Sequence, residues 1–256
     1  LSNQSNKENK KEQGKQGDQE QFIPLIIMTH SYKIILLVVT IICLPGFGYG
    51  QANEIKIKFI GNCGLYLTDG ESNLYIDFPY KSGAYRHMEY DKSEIDSIQE
   101  NAVFIFTHRH ADHYSKKLSR KFHGQKFGPW NINKLDKLSE LIPNVNVEAE
   151  RTQHKIYGIS FNHYSYLITW HGKKIYISGD TGDLDGVSKM KDIEWAFVNP
   201  WQYLNAREQK ITIDAKNFGM YHLYPGQLIK GEIPNNLHIL QNQGEIISIP
   251  YTRLVN

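Results

Sequence analysis

The chain has 256 residues, with 29 Lys and Arg against 27 Asp and Glu and 40% hydrophobic residues. That length fits one domain with tails, and the near balance of charge excludes binding to nucleic acid or anionic membranes through net charge. Two cysteines exclude a disulfide-stapled scaffold.

Leu1–Ile27 opens with Gln, Asn, Lys and Glu that cannot form a core, and reads as an unstructured upstream segment. From Met28 the pattern changes to Lys33, the apolar run Ile34–Leu44, the breakers Pro45 and Gly46, and then Gly48-Tyr49-Gly50. This succession predicts a signal peptide over 28–50, cut after Gly50, with export to a periplasmic or secreted location and no stable membrane insertion afterwards. The remaining 51–256 is long enough for one well-cored domain and is close to neutral. Its sole cysteine is Cys63, so it has no internal disulfide.

Ile55–Ile60, Gly64–Thr68 and Leu74–Phe78 read as strands, with a hairpin turn at Asp69-Gly70 and Asp77 closing the third. A short helix capped by Asp91 is expected over Lys92–Gln99, and Val103–Phe106 reads as a buried strand. A basic helix near Ser115–Phe122 follows, its Lys116, Lys117, Arg120 and Lys121 forming a solvated face. Apolar residues at Ile132, Leu135, Leu138, Leu141 and Ile142 give Asn131–Ile142 a helical period that ends at Pro143. Strands are expected over Val145–Thr152, Tyr164–Trp170, Lys174–Ser178 and Trp195–Val198, with a turn at His171-Gly172. A helix near Ile213–Phe218 and a last strand over Glu245–Ile249 complete the series. Strands gathered at both ends, with helices between, predict two sheets packed face to face with helices outside.

The loop Thr107–Tyr114 carries His108, His110, Asp112 and His113 directly after the strand Val103–Phe106. His108 and His110 are two apart, so in extended backbone their rings leave on one side and can close on one ion. Asp112 and His113 are left to face a second ion. The other candidates also follow strands: Asp180 follows Lys174–Ser178, and His154 follows Val145–Thr152. His222 follows a short apolar step. His163, directly before Tyr164–Trp170, competes with His154 as the candidate ligand from this part of the chain. The topology favours His154 and leaves His163 to line the pocket. His171 belongs to a turn, while His87, His123 and His238 have no motif around them and read as surface or core-edge residues. Tyr80, Tyr85, Tyr90, Trp130 and Trp201 are candidates for a pocket wall, with ordinary core packing the competing reading.

His108-x-His110-x-Asp112-His113, Ser178-Gly179-Asp180-Thr181-Gly182 and the late His222 together resemble the metallo-β-lactamase superfamily. Phe59-Ile60-Gly61 and Leu74-Tyr75-Ile76-Asp77 look like its metal-dependent hydrolase branch, which includes ascorbate-6-phosphate lactonase-like and phospholipase D-like enzymes. Asn62-Cys63 stand where that branch commonly has histidine and alanine. The resemblance covers roughly Ile55–Tyr224. It implies an α/β fold, an αββα sandwich of two mixed sheets with external helices. It also implies a ligand set in which His108, His110 and the middle histidine, His154, hold one ion, Asp112, His113 and His222 hold another, and Asp180 bridges them.

Two divalent ions are thus expected, zinc first, with manganese or iron as alternatives, since imidazole and carboxylate suit all three. The absence of cysteine from this set keeps the ions Lewis-acidic. The implied activity is hydrolysis of an ester, lactone, amide or phosphodiester in a small-molecule substrate by a hydroxide shared between the ions. Asp112 and Asp180 would orient it or receive its proton. The competing classes are a secreted metal-binding protein without turnover and an iron-dependent redox variant on the same fold.

Overall fold

The computed structural model describes residues 53–229 and 232–252. The upstream segment and signal peptide expected over 1–50 lie outside the described residues. Among those described, no helix is long and apolar enough to cross a membrane.

The first sheet is built from β1 (Glu54–Gly61), β2 (Gly64–Thr68), β3 (Asn73–Ile76), β4 (Val103–Ile105) and β5 (Lys126–Phe127). The second holds β6 (Val145–Arg151), β9 (Tyr164–Trp170), β10 (Lys173–Ile177), β11 (Ile193–Val198), β12 (Ala215–Met220) and β13 (Leu237–Ile239). The final strand, β14 (Ile246–Pro250), returns to the first sheet, giving the orders β14-β1-β2-β3-β4-β5 and β13-β12-β11-β10-β9-β6. A separate ribbon pairs β7 (Lys155–Ile156) with β8 (Ile159–Ser160). Both large sheets are mixed: β3-β4-β5 and β10-β11-β12-β13 run parallel, and their other neighbours antiparallel.

Alternation along the strands divides the apolar residues between the faces. Ile55, Ile57, Leu65, Leu67, Ile76 and Ile105 meet Tyr166, Ile168, Trp170, Ile175, Ile177 and Phe197 in the layer between the sheets. The outer face of the first sheet buries Tyr75, Phe104 and Phe106 with Phe78, Tyr80 and Tyr90. Leu167, Tyr176, Ala196, Val198 and Met220 cover the outer face of the second with Leu184, Tyr203 and Ala206. Covering on both faces explains why β4 and the Trp195–Val198 part of β11 read as continuous apolar runs. Burying each of these large side chains contributes roughly 1.5–3 kcal/mol.

The helices outside the sheets are short: α1 (Ser93–Asp96), α2 (Lys116–Ser119), α3 (Leu138–Leu141) and α4 (Pro200–Glu208). The helix expected over Asn131–Ile142 is a 3₁₀ segment, Ile132–Lys137, running into α3. The expectation of a helix near Ile213–Phe218 is corrected, because Ala215–Met220 is a strand pairing in parallel with β11 from Ala215 to Met220. Its backbone groups find partners on β11 and β13, and that ladder overrides a local pattern indistinguishable from a helical turn. Helix α4 is not among the elements expected from the pattern, although Asn199 and Pro200 mark its start: the Asn199 side chain accepts from Gln202 N–H at 2.8 Å, and proline occupies the first turn.

Candidate metal centre

Strand direction brings the candidate residues to one edge. The parallel strands β3 and β4 end there, as do β10, β11 and β12. β1 and β6 run the same way, and the antiparallel β9 begins at this edge. Asp77, Thr107–His113, His154, His163, Ser178–Asp180, Asn199 and His222 therefore meet on one rim, together with the β1–β2 turn at Asn62-Cys63.

The histidine loop is held from beneath by Asp77, which is fully buried. Its Oδ1 accepts from Thr107 N–H at 2.7 Å, and its Oδ2 accepts from Thr107 Oγ1 at 2.7 Å and meets His113 Nδ1 at 2.9 Å. Asp180 is set by a tight approach. Gly179 has φ +61°, and a Cβ there would lie 2.5 Å from His163 Nε2 and 2.8 Å from Thr107 Cβ, so only glycine fits. Asn199 donates to the carbonyls of Gly179 and Thr181 at 2.7 and 2.8 Å, and Tyr221 Oη accepts from Gly179 N–H at 2.9 Å.

The rings and carboxylates fall into two groups that share Asp180. One ligand atom each from His108, His110, His154 and Asp180 lies within 4.8 Å of the others. In this group His154 Nε2 is 3.1 Å from His110 Nδ1, and His108 Nε2 is 3.7 Å from Asp180 Oδ2. On the other side Asp180 Oδ1 lies 3.1 Å from His113 Nε2 and 2.9 Å from His222 Nε2. Asp112 Oδ2 is 3.2 Å from His222 Nε2 and 3.7 Å from His113 Nε2. All seven residues singled out from the sequence, His108, His110, Asp112, His113, His154, Asp180 and His222, thus converge.

His163 lies beneath this constellation. Its Nε2 accepts from Asp180 N–H at 2.9 Å and its Nδ1 meets Thr152 Oγ1 at 2.7 Å, so both ring nitrogens are engaged. His154 keeps its Nδ1 on the Asp180 carbonyl at 2.8 Å and turns Nε2 toward His110.

Electrostatics follow from burial and proximity. Burial alone would push the Asp180 carboxyl up, but His222 and His113 outweigh it and hold the group well below the usual carboxylate range. Those two histidines are in turn opposed by burial, yet the Asp180 carboxylate and its neighbours raise both well above the ordinary imidazole value. Burial dominates at His108, which is driven well below its ordinary value.

The donor set fits divalent ions. His108 Nε2, His113 Nε2, Asp112 Oδ1 and Asp180 Oδ1 are buried without hydrogen-bond partners. The other nitrogens of the same two rings are engaged: His108 Nδ1 meets Thr107 Oγ1 at 3.0 Å, and His113 Nδ1 is on Asp77. Outer partners that fix ring orientation and leave Nε2 facing inward are the arrangement of histidine metal sites, and buried unpaired polar atoms are otherwise costly.

A cleft of about 920 Å³ opens over the group, lined by His110, Asp112, His154, Asp180 and His222 and walled by Tyr85, Phe161, Trp201 and Tyr224. Of the aromatic candidates, Tyr85 and Trp201 are on this wall. Tyr80 and Tyr90 pack in the core with Phe78, and Trp130 lies under the Arg109 guanidinium, 5.0 Å from its ring centre. His87, expected at a surface or core edge, belongs here instead. Its ring stacks on Tyr224 at 4.4 Å and edges His222 at 4.2 Å, and its Nε2 is 3.9 Å from Asp112 Oδ2. Burial and the neighbouring His222 lower its pKa to about 4, so the cleft meets a neutral ring. No pattern around His87 in the chain signals this.

The architecture is the αββα sandwich of the metallo-β-lactamase fold. No family model matches the chain, and no curated protein matches it. Among solved structures it is similar to Igni18, a metallo hydrolase from the archaeon Ignicoccus hospitalis, with TM-score 0.58 and 15% identity over 78% of this chain and 100% of that one. A possible metal-dependent hydrolase from Veillonella parvula gives TM-score 0.57 and 13% identity over 77% of this chain and 100% of that one. An isothiocyanate hydrolase from Delia radicum gut bacteria gives TM-score 0.52 and 15% identity over 76% of this chain and 99% of that one. At these identities the likeness is one of fold. The His/Asp groups at the sheet edge are suited to divalent metal.

Proposed function

We propose that the chain is a metal-dependent hydrolase holding two divalent ions, zinc first, and acting on a small molecule with an apolar or aromatic part. The observation that carries this reading is Asp180, whose Oδ2 faces His108 while its Oδ1 faces His113 and His222. A carboxylate so placed can serve two ions at once. In this reading His108, His110 and His154 hold one ion, and Asp112, His113 and His222 hold the other. Bound there, the ions would supply Lewis acidity and lower the pKa of water toward neutrality.

The chain's own residues do the rest. Asp112 keeps Oδ1 unpaired and borders the cleft, so it can orient the attacking water and take its proton. Asn62 Nδ2 donates to the Asp112 carbonyl at 3.1 Å and to its Oδ2 at 3.4 Å, fixing that carboxylate. The wall of Tyr85, Phe161, Trp201 and Tyr224 supports an apolar or aromatic substrate moiety. The only cation on this wall among the described residues is Lys155, which argues against a highly anionic substrate.

The test is a panel of aryl esters, lactones, amides, phosphodiesters and isothiocyanates, assayed with the zinc-loaded protein before and after chelation. Chelator-sensitive turnover of at least one class is expected, falling by more than about 100-fold in Asp180→Asn. Turnover that survives both chelation and Asp180→Asn would overturn the reading.

A further inference from the structure

The turn between β1 and β2 places a sulfur atom in the site. Gly61 and Asn62 adopt φ of 139° and 46°, and His222 N–H donates to the Asn62 carbonyl at 3.0 Å. The turn is thereby tied to the loop that carries His222. Cys63, the next residue, is a fully buried free cysteine. Its Sγ and one ligand atom each from His113, Asp180 and His222 all lie within 4.8 Å of one another. Donors sharing one tetrahedral ion at about 2.0–2.3 Å stand about 3.3–3.8 Å apart, so modest closure brings the four onto a single centre.

A second observation points the same way. His113 is fully buried and its Nε2 has no hydrogen-bond partner, while its Nδ1 is held by Asp77 at 2.9 Å. The ring is therefore fixed by Asp77, with Nε2 turned toward Asp180 Oδ1 at 3.1 Å in the group that Cys63 joins.

We propose that the Cys63 thiolate is a further ligand of the ion held by His113 and His222. This rests on the two-ion reading above and revises the expectation that no cysteine takes part. On binding, an S–metal bond replaces the S–H bond and the thiol proton passes to solvent, with no change of oxidation state. The two ions are then unlike. The His108, His110 and His154 side offers nitrogen and oxygen alone, whereas the other side adds sulfur, which favours zinc or cobalt over manganese. The sulfur-bound ion is the more tightly held, and its partner the stronger Lewis acid.

Cobalt tests this directly. The full chain is prepared with Cys43→Ser, so that Cys63 is its sole thiol, stripped of metal and titrated anaerobically with Co²⁺. Visible d–d absorption is expected together with a near-ultraviolet thiolate-to-cobalt charge-transfer band. Cys63→Ser in the same background should remove the band, keep the d–d absorption and weaken zinc at one site by more than about 100-fold, beyond the loss of an outer partner. Cobalt binding with d–d absorption but no charge-transfer band in the Cys43→Ser chain would overturn the role of Cys63 and leave the two-ion reading standing. Failure to bind cobalt at all would overturn both.

Discussion

Alanine at His163 and alanine at His154 should have opposite consequences, although both rings lie within the same cluster. His163 is 0% exposed and uses both nitrogens on protein partners, Asp180 N–H at 2.9 Å and Thr152 Oγ1 at 2.7 Å. Truncation leaves the Asp180 amide unpaired in a buried place, which costs roughly 1–3 kcal/mol, and opens a void where the imidazole stood. Together these give a loss of about 3–4 kcal/mol, a large part of the roughly 5–15 kcal/mol that holds a domain folded. Zinc affinity should fall by about 10–100-fold, as it does when an outer partner is lost.

His154 borders the cleft at 8% exposure, and removing its ring opens the Asp180 carbonyl to water instead of orphaning it. His154→Ala should cost less than about 1 kcal/mol in the metal-free protein yet lower zinc affinity by more than about 100-fold. Urea denaturation of the stripped proteins and competition with a chromophoric chelator measure the two quantities. If His163→Ala abolishes zinc binding and leaves stability intact while His154→Ala does the reverse, the assignment of inner and outer histidine is refuted.

Acid should destabilise the metal-free protein through His163. Burial, only partly offset by the Asp180 carboxylate, holds its pKa down to about 3, against roughly 6.5 in the unfolded chain. The unfolded state therefore binds the proton first, and stability falls as pH drops from about 6.5 toward about 3, by about 2 kcal/mol at pH 5. His163→Gln keeps an acceptor for the Asp180 amide without a titrating ring, so its urea stability should lose about 2 kcal/mol less than wild type between pH 7 and pH 5. Identical pH profiles would count against this. Gly179→Ala should cost about 2–3 kcal/mol and weaken zinc, because the new methyl group must displace the His163 ring or the Thr107 side chain at φ +61°. Stability within about 0.5 kcal/mol of wild type would show that the loop has room to spare.

Legibility in the chain tracked burial. The strands β2 and β9 run over the residues expected for them, because alternation or continuous apolar character reports directly which faces are covered. The seven clustered residues were visible because each follows a strand and four of them, His108, His110, Asp112 and His113, fall within six residues. What stayed hidden depends on partners distant in sequence. Ala215–Met220 becomes a strand only because β11 and β13 flank it. Asp77 reads as a strand end until Thr107 and His113 are seen above it, and Asn199 as a turn until its amide reaches the Gly179 and Thr181 carbonyls. His87 sits in a segment without a motif and Cys63 stands where the resembled pattern departs, and only the packing of the β1–β2 turn and of Tyr224 carries them to the rim.

The central claim is that one constellation holds two ions around Asp180, and elemental analysis of the purified chain tests it most directly. After loading with excess zinc and exhaustive exchange into metal-free buffer, the wild-type protein should retain two zinc ions per chain, and Asp180→Asn fewer, with both proteins folded by circular dichroism. A wild-type chain that keeps no more than one ion, and gains none when zinc is raised, would contradict the account.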